Sequence, residues 1–193
     1  MFRRKYEFKP DRTGANSFSK LYLTKKQRLK LYRWLLISAM IVALSLVQDV
    51  ILCHVSIGGA TFDLVPCGIL VCCILLDVDA AAVFSLTAST LYYCAGNAPG
   101  TFCIALLTAL GTLLCIFRRS YLKSGLFSSF LCSCVGIMAY ELAVFLIGIF
   151  FGSTHAGRFG VFALCGGLSV AVIPVLYPVF RAIGNIGGDS WKE

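Results

Sequence analysis

Long apolar segments with few charges follow the first 33 residues, and this pattern limits most strongly what the chain can fold into. Only 13% of the 193 residues are charged, whereas 59% are hydrophobic, and the mean hydropathy is +0.85. A soluble domain has about a quarter of its residues charged. Lipid must therefore cover much of the exterior, and the chain is predicted to be an all-α, polytopic membrane protein.

The apolar part of the chain is divided into six segments by short polar stretches. Each is predicted to be a transmembrane helix, at about 34–54, 62–76, 80–95, 100–117, 125–151 and 159–180. The resulting domain covers residues 34–183, between a basic tail (1–33) and a short C-terminal tail (184–193). The second and third segments are shorter than the roughly 20 residues of an upright span, so a re-entrant hairpin is the alternative.

Prolines interrupt the last predicted helix. Pro174 and Pro178 each lack a backbone N–H, and their rings crowd the preceding turn. The last helix is therefore expected to kink or unravel before Arg181.

The basic residues are distributed very unevenly. Eleven of the 17 Lys and Arg lie in residues 1–33. With the N-terminus inside, sixteen basic residues fall on the inner side and one, Arg158, on the outer side. This asymmetry predicts that both termini are cytoplasmic. The tail is expected to bind anionic lipids, and not nucleic acid, because it contains no nucleic-acid-binding motif.

Polar residues recur at one depth of the predicted bundle. Asp49 lies 15 residues past Trp34, and Glu141 lies 16 residues past Gly125, rises of about 22 and 24 Å. Gln48, Tyr92 and Asn97 fall in the same layer. Charged groups within a membrane are expensive, so this layer is a candidate site facing a partner or a ligand. Alternatively, these groups hydrogen-bond one another and only hold the bundle together.

Small residues mark predicted contacts between helices. Ala39 and Ala43 are spaced four apart on the first helix, and Ser129, Ser133 and Gly136 lie along the fifth. Such spacing lets helix backbones approach closely in lipid.

Groupings typical of enzymes or metal sites are missing from the sequence. His54 and His155, the two histidines, both fall in predicted outer loops without a catalytic partner at a recognisable spacing. No catalytic or phosphate-binding motif occurs. Most of the ten cysteines lie in apolar segments, without metal-ligand spacing. The chain is predicted not to be an enzyme and to hold no metal or cofactor.

Several short motifs together resemble a bacterial family. The first helix ends in Gln48-Asp49, Ile57-Gly58-Gly59 precedes Phe62-Asp63-Leu64-Val65, a Gly-rich turn leads to Gly100, and the last helix carries prolines. Over about residues 34–183 the pattern resembles MreD, the rod shape-determining membrane protein family. The resemblance adds Asp63 to the candidate site.

The resemblance implies a non-enzymatic scaffold of the cell-elongation machinery in the bacterial cytoplasmic membrane. Its expected partners are an MreC-like protein and the glycosyltransferase and transpeptidase that build lateral peptidoglycan. The family is similar in fold to the substrate-binding subunits of energy-coupling-factor vitamin transporters. Such a subunit is the alternative function, since it has six helices, an Ala-x-x-x-Ala face on the first helix and a pocket toward the outside.

Overall fold

The computed structural model describes residues 25–121 and 126–184, and this part of the chain is helical. Its backbone pairing outside helices is one isolated bridge between Ile57 and Ala60. The six α-helices are α1 (Lys25–Val50), α2 (Leu64–Leu75), α3 (Val78–Cys94), α4 (Phe102–Tyr121), α5 (Leu126–Phe150) and α6 (Phe159–Gly184). The prediction of an all-α fold is confirmed. Most of the basic tail and of the C-terminal tail lies outside the described residues.

Four of the described helices are long and apolar enough to cross a membrane: α1, α4, α5 and α6. The protein is therefore a multi-pass membrane protein. The other two helices are shorter. The 12 residues of α2 rise about 18 Å and the 17 residues of α3 about 26 Å, against a hydrocarbon core of about 30 Å.

Helix α2 forms the centre of the bundle. All twelve of its residues are buried, and the other five helices pack around it. Its sequence is apolar on every side, as expected for a helix that exposes no face to solvent or lipid. Gly68 allows close packing here, because a Cβ at this position would lie 2.7 Å from Cδ1 of Leu44.

The two ends of α2 contact different sets of polar side chains. At its start, the Val65 amide donates to Oε1 of Gln48 at 3.0 Å. At its finish, Nη1 of Arg118 donates to the carbonyl of Ile74 at 2.6 Å, and Arg119 forms an ion pair with Asp77. We call the first region the carboxylate end and the second the arginine end. Together α2 and α3 form an antiparallel pair that runs from the carboxylate end to the arginine end and back.

Helix α6 continues through both of its prolines. It is helical from Phe159 to Gly184, so of the two predicted outcomes the unravelling before Arg181 is wrong, while a kink stays a prediction. Pro174 and Pro178 are four residues apart and both exposed, so they lie on one outward face. Buried residues on the opposite face, including Ile173 and Tyr177, pack into the core and hold the helix together despite the lost hydrogen bonds.

Helix α1 lies at the edge of the bundle. Its fully buried positions are Ile37, Ile41 and Leu44, which form a single narrow stripe. Ala39 and Ala43 are exposed. The close packing predicted for them is therefore not made within the described chain, because the stripe of Ile37, Ile41 and Leu44 forms the contact instead.

Helix α5, in contrast, turns its small residues inward. Ser129, Ser133 and Gly136 are all buried. The Ser133 hydroxyl donates to the carbonyl of Ser129 at 2.8 Å, which satisfies it within the helix. The absence of a side chain at Gly136 leaves room for Leu114 of α4.

Candidate functional site

A cavity of about 510 Å³ opens at the carboxylate end, among α3, the start of α4, α5, α6 and the loops at that end, including the residue just before α2. Four of the six predicted site residues line it, namely Asp63, Tyr92, Asn97 and Glu141. They come from parts of the chain far apart in sequence. The bundle assembles them because α3 ends, α2 begins and the middle of α5 passes at this level.

The other two predicted residues, Gln48 and Asp49, lie beside the cavity and not in its wall. Gln48 accepts a hydrogen bond from the Val65 amide, one of the backbone donors that the first turn of α2 cannot satisfy internally. Asp49 accepts a hydrogen bond from the side-chain amide of Asn97. Both residues therefore position the wall, by fixing α2 and the loop after α3 to the end of α1.

Contacts with α6 hold Asp63 at the N-terminal end of α2. Its backbone amide donates to the hydroxyl of Ser169 at 3.1 Å, and the thiol of Cys67 donates to the Ser169 carbonyl at 3.6 Å. Asp63 occupies the N-cap position of α2, but its side chain makes no capping hydrogen bond. Instead its carboxyl group interacts directly with that of Glu141.

Glu141 is the most deeply buried acidic side chain of the cavity, with 4% of its surface exposed. Its Oε1 atom is buried and has no hydrogen-bond partner in the described part of the chain. No basic side chain in the described part of the chain interacts with Glu141 or Asp63. A buried carboxylate in this state is costly, because nothing replaces the water that it has lost.

Two residues of α6 that the sequence reasoning missed position the acidic groups of the cavity from behind its wall. Gly166 brings α6 against Glu141, since a Cβ there would lie 2.8 Å from Sδ of Met138 and 3.4 Å from Cγ of Glu141. Ser169 carries a polar signal that the sequence did contain, as a hydroxyl within an apolar segment. Nothing in the sequence distinguished Gly166 from Gly167 beside it. In the structure Gly166 is buried and Gly167 is exposed, a difference that only helix packing creates.

Aromatic side chains form much of the remaining wall. Tyr140 is almost fully buried, and its hydroxyl donates to Sγ of Cys103 at 3.7 Å. Phe102, Phe151 and Phe162 also line the cavity. The wall thus combines two acidic groups with a large apolar surface, which suits an occupant that is itself partly polar and partly apolar.

A second, apolar groove of about 500 Å³ lies between α5 and α6. It shares Glu141 and Phe162 with the cavity and is otherwise lined by apolar side chains, among them Leu142 and Phe145. Because it faces outward from two helices long enough to span a membrane, acyl chains of lipid can occupy it.

The described residues contain no group of three or more His, Cys, Asp or Glu that could hold a metal ion. His54 and His155 are exposed in loops and do not line the cavity. Chemically, the cavity is suited to binding a molecule or a protein segment through two interacting carboxyl groups in an apolar wall. Comparison of the chain with protein-family models, curated proteins and solved structures found no match.

Proposed function

We propose that this protein is a non-enzymatic scaffold of the bacterial cell-elongation machinery, coupling shape-determining proteins to lateral peptidoglycan synthesis. The observation that carries the proposal is the cavity at the carboxylate end, whose wall holds the buried and unpartnered Oε1 of Glu141. Such a group is suited to an incoming partner, because a partner can supply the hydrogen bond that the chain itself does not. The motifs that resemble the MreD family supply the identity of the machinery.

The proposed topology has six crossings of the cytoplasmic membrane with both termini inside. Arg118 and Arg119 would then mark the inner surface, and the carboxylate end would face outward. The contacts of these arginines with Ile74 and Asp77 favour six crossings over a re-entrant hairpin, since they put the α2–α3 turn at the same level as the basic end of α4. The basic tail would bind anionic lipid at that inner surface.

The proposed occupant of the cavity is a segment of an MreC-like partner, with the glycosyltransferase and transpeptidase of the elongation complex nearby. The cavity is large enough for a few side chains of such a segment. The exposed apolar face of α1, which includes Leu35, Val42 and Leu46, gives a transmembrane helix of a partner a second place to pack.

Depletion in the native bacterium tests the function directly. If the proposal is right, rod-shaped cells become round, and proteins of cell-wall synthesis co-purify with the tagged protein in mild detergent. Glu141→Leu should weaken this co-purification while the protein still inserts. The matched control is Leu142→Ala, on the same turn of α5 but outside the cavity wall, and it should leave the partners bound.

The alternative is the substrate-binding subunit of an energy-coupling-factor vitamin transporter. Two observations favour it: the cavity volume falls within the range of about 300–1,000 Å³ for small-molecule sites, and the exposed Ala39 and Ala43 leave a smooth face for another subunit. In that case depleted cells keep their shape and fail to grow only when one nutrient is scarce. Co-purification of an ATPase pair with a coupling subunit would replace the scaffold proposal by this one.

A further inference from the structure

The charge balance of the cavity is one-sided. Its wall contains the carboxyl groups of Asp63 and Glu141, and none of the described residues that line it is Lys, Arg or His. We propose that the cavity binds an alkylammonium group attached to an apolar body, and that Asp63 and Glu141 receive the ammonium. The proposal concerns the chemistry of the occupant, whichever protein or molecule provides it.

The first argument is the state of Glu141. Glu141 lines the cavity although only 4% of the residue is exposed, and its buried Oε1 has no hydrogen-bond partner in the described chain. Native proteins rarely leave a buried polar atom unpaired, and exceptions call for an unseen partner. A donor from outside the chain is the simplest partner that the geometry accommodates.

The second argument is the contact between the two carboxyl groups. The two groups can share a proton as a hydrogen-bonded pair, but when both are ionised they repel each other strongly in a medium of low dielectric constant. A single ammonium group between them removes that repulsion and can donate up to three hydrogen bonds. An anion would add to the repulsion, and a neutral hydroxyl group would leave most of it in place.

The rest of the wall indicates what the ammonium is attached to. Phe102, Phe162 and Val144 line the same cavity and provide apolar and aromatic surface. Aromatic faces also attract cations directly. A strongly hydrated inorganic cation would not use this surface, and although Cys165 also lines the cavity, no three of the described His, Cys, Asp and Glu residues are arranged to hold a metal ion.

The ammonium could come from a free organic amine or from a lysine side chain of a partner. The second source rests on the proposed scaffold function, and the first fits the transporter alternative. Binding is therefore tested with purified protein and a small probe, whereas the proposed function is tested by cell shape. The ammonium-binding proposal can therefore fail while the scaffold function holds, and the reverse is equally possible.

The binding experiment uses the full chain in nanodiscs of neutral lipid and compares 2-phenylethylammonium with 2-phenylethanol, which has a similar shape without the charge. Saturation-transfer NMR, with empty nanodiscs subtracted, gives both affinities. The ammonium probe should bind at least about tenfold more tightly, as expected for one hydrogen bond to a charged group. Equal affinities, or tighter binding of the alcohol, would overturn the proposal.

Substitutions locate the site. Glu141→Gln keeps the size of the side chain and should weaken ammonium binding by about tenfold, while Asp79→Asn, at an exposed acid near the arginine end, should leave it unchanged. Unchanged binding in folded Glu141→Gln contradicts the proposal. If that variant does not fold, the comparison of the two probes on the unsubstituted chain still decides.

Carbodiimide coupling in native membranes then identifies the source. The reagent joins a carboxyl to a primary amine as an amide and takes up the lost water itself as a urea. Mass spectrometry of the Glu141 peptide should show either a cross-linked lysine peptide, meaning a partner protein, or a small amine adduct, meaning a free ligand. A Glu141 peptide without an amide, in a sample where the exposed Asp79 carries the reagent itself as an acylurea, would contradict an occupied ammonium site.

Discussion

The two ends of the bundle treat their charged groups in opposite ways. At the arginine end, Arg118 donates to the last turn of α2 and Arg119 pairs with Asp77, so charged groups hold α2, α3 and α4 together. At the carboxylate end, Asp63 and Glu141 face each other and Oε1 of Glu141 remains unpartnered. The difference shows that polar residues of this bundle can serve its own packing at one end, and that those at the other end are candidates for binding because one of their atoms is left unsatisfied.

The largest expected effect concerns the sides of the membrane on which the two ends lie. Single cysteines in a cysteine-free background at exposed positions 155 and 121 should react differently with an impermeant reagent. Position 155 should be labelled in intact cells, and position 121 only after permeabilisation, because the carboxylate end is expected outside. Labelling of both from one side would break the comparison, since the two ends would then share a compartment.

Removing the arginine that caps α2 should destabilise the protein. Arg118→Leu leaves the Ile74 carbonyl without its donor, at an expected cost of about 1–3 kcal/mol in the free energy of unfolding. Equilibrium unfolding in mixed detergent micelles measures the change. A loss below that range would show that the arginine end is not held by this contact.

Removing the charge at the opposite end should have the reverse sign. Glu141→Gln replaces a buried carboxyl group, whose Oε1 has no hydrogen-bond partner in the described chain, by a neutral amide that can still donate to Asp63, so the free energy of unfolding should stay the same or rise by up to about 1 kcal/mol. The same unfolding assay applies, without added amine. A marked loss of stability would mean that Glu141 serves the bundle itself, as Arg118 does.

Arg119→Leu should have the smallest effect and is the matched control for Arg118→Leu. Arg119 and Asp77 are both substantially exposed, with side-chain exposures of 49% and 77%. Exposed ion pairs contribute about 0–1 kcal/mol, so the loss should lie well under that of the neighbouring substitution. Equal losses for the two variants would show that overall charge near the surface matters, and not the buried hydrogen bond.

Helix positions were predictable because each apolar segment between polar stretches is long enough to be recognised in isolation. The predicted segments at 62–76 and 125–151 differ from α2 and α5 by only one or two residues at either end. The prolines of α6 misled the prediction, since the cost of an interrupted hydrogen-bond ladder was weighed without the packing of Ile173 and Tyr177 that offsets it.

The candidate site was partly predictable from depth. Counting helix rise from the inner surface put Asp49 and Glu141 in one layer, and the structure brings Asn97 to Asp49 and Asp63 to Glu141 at the same end. Counting could not separate the residues that line the cavity from those that support it. Gln48 and Asp49 support the cavity and do not line it. Their hydrogen bonds to Val65 and Asn97 hold neighbouring elements in place, and such contacts between elements cannot be counted along one helix.

By itself, the sequence determined that this is a helical, multi-pass membrane protein, because hydropathy and helix length are properties of each segment alone. It also identified the polar residues within the apolar segments, where a polar side chain is costly because lipid surrounds the helix. Only the tertiary structure decided that α2 is central, that Ala39 and Ala43 face outward, and that Glu141 lines a cavity with its Oε1 left without a hydrogen-bond partner among the described residues. Those outcomes depend on which helices meet, and a pairing of this kind is settled by packing across the bundle and not by any one segment.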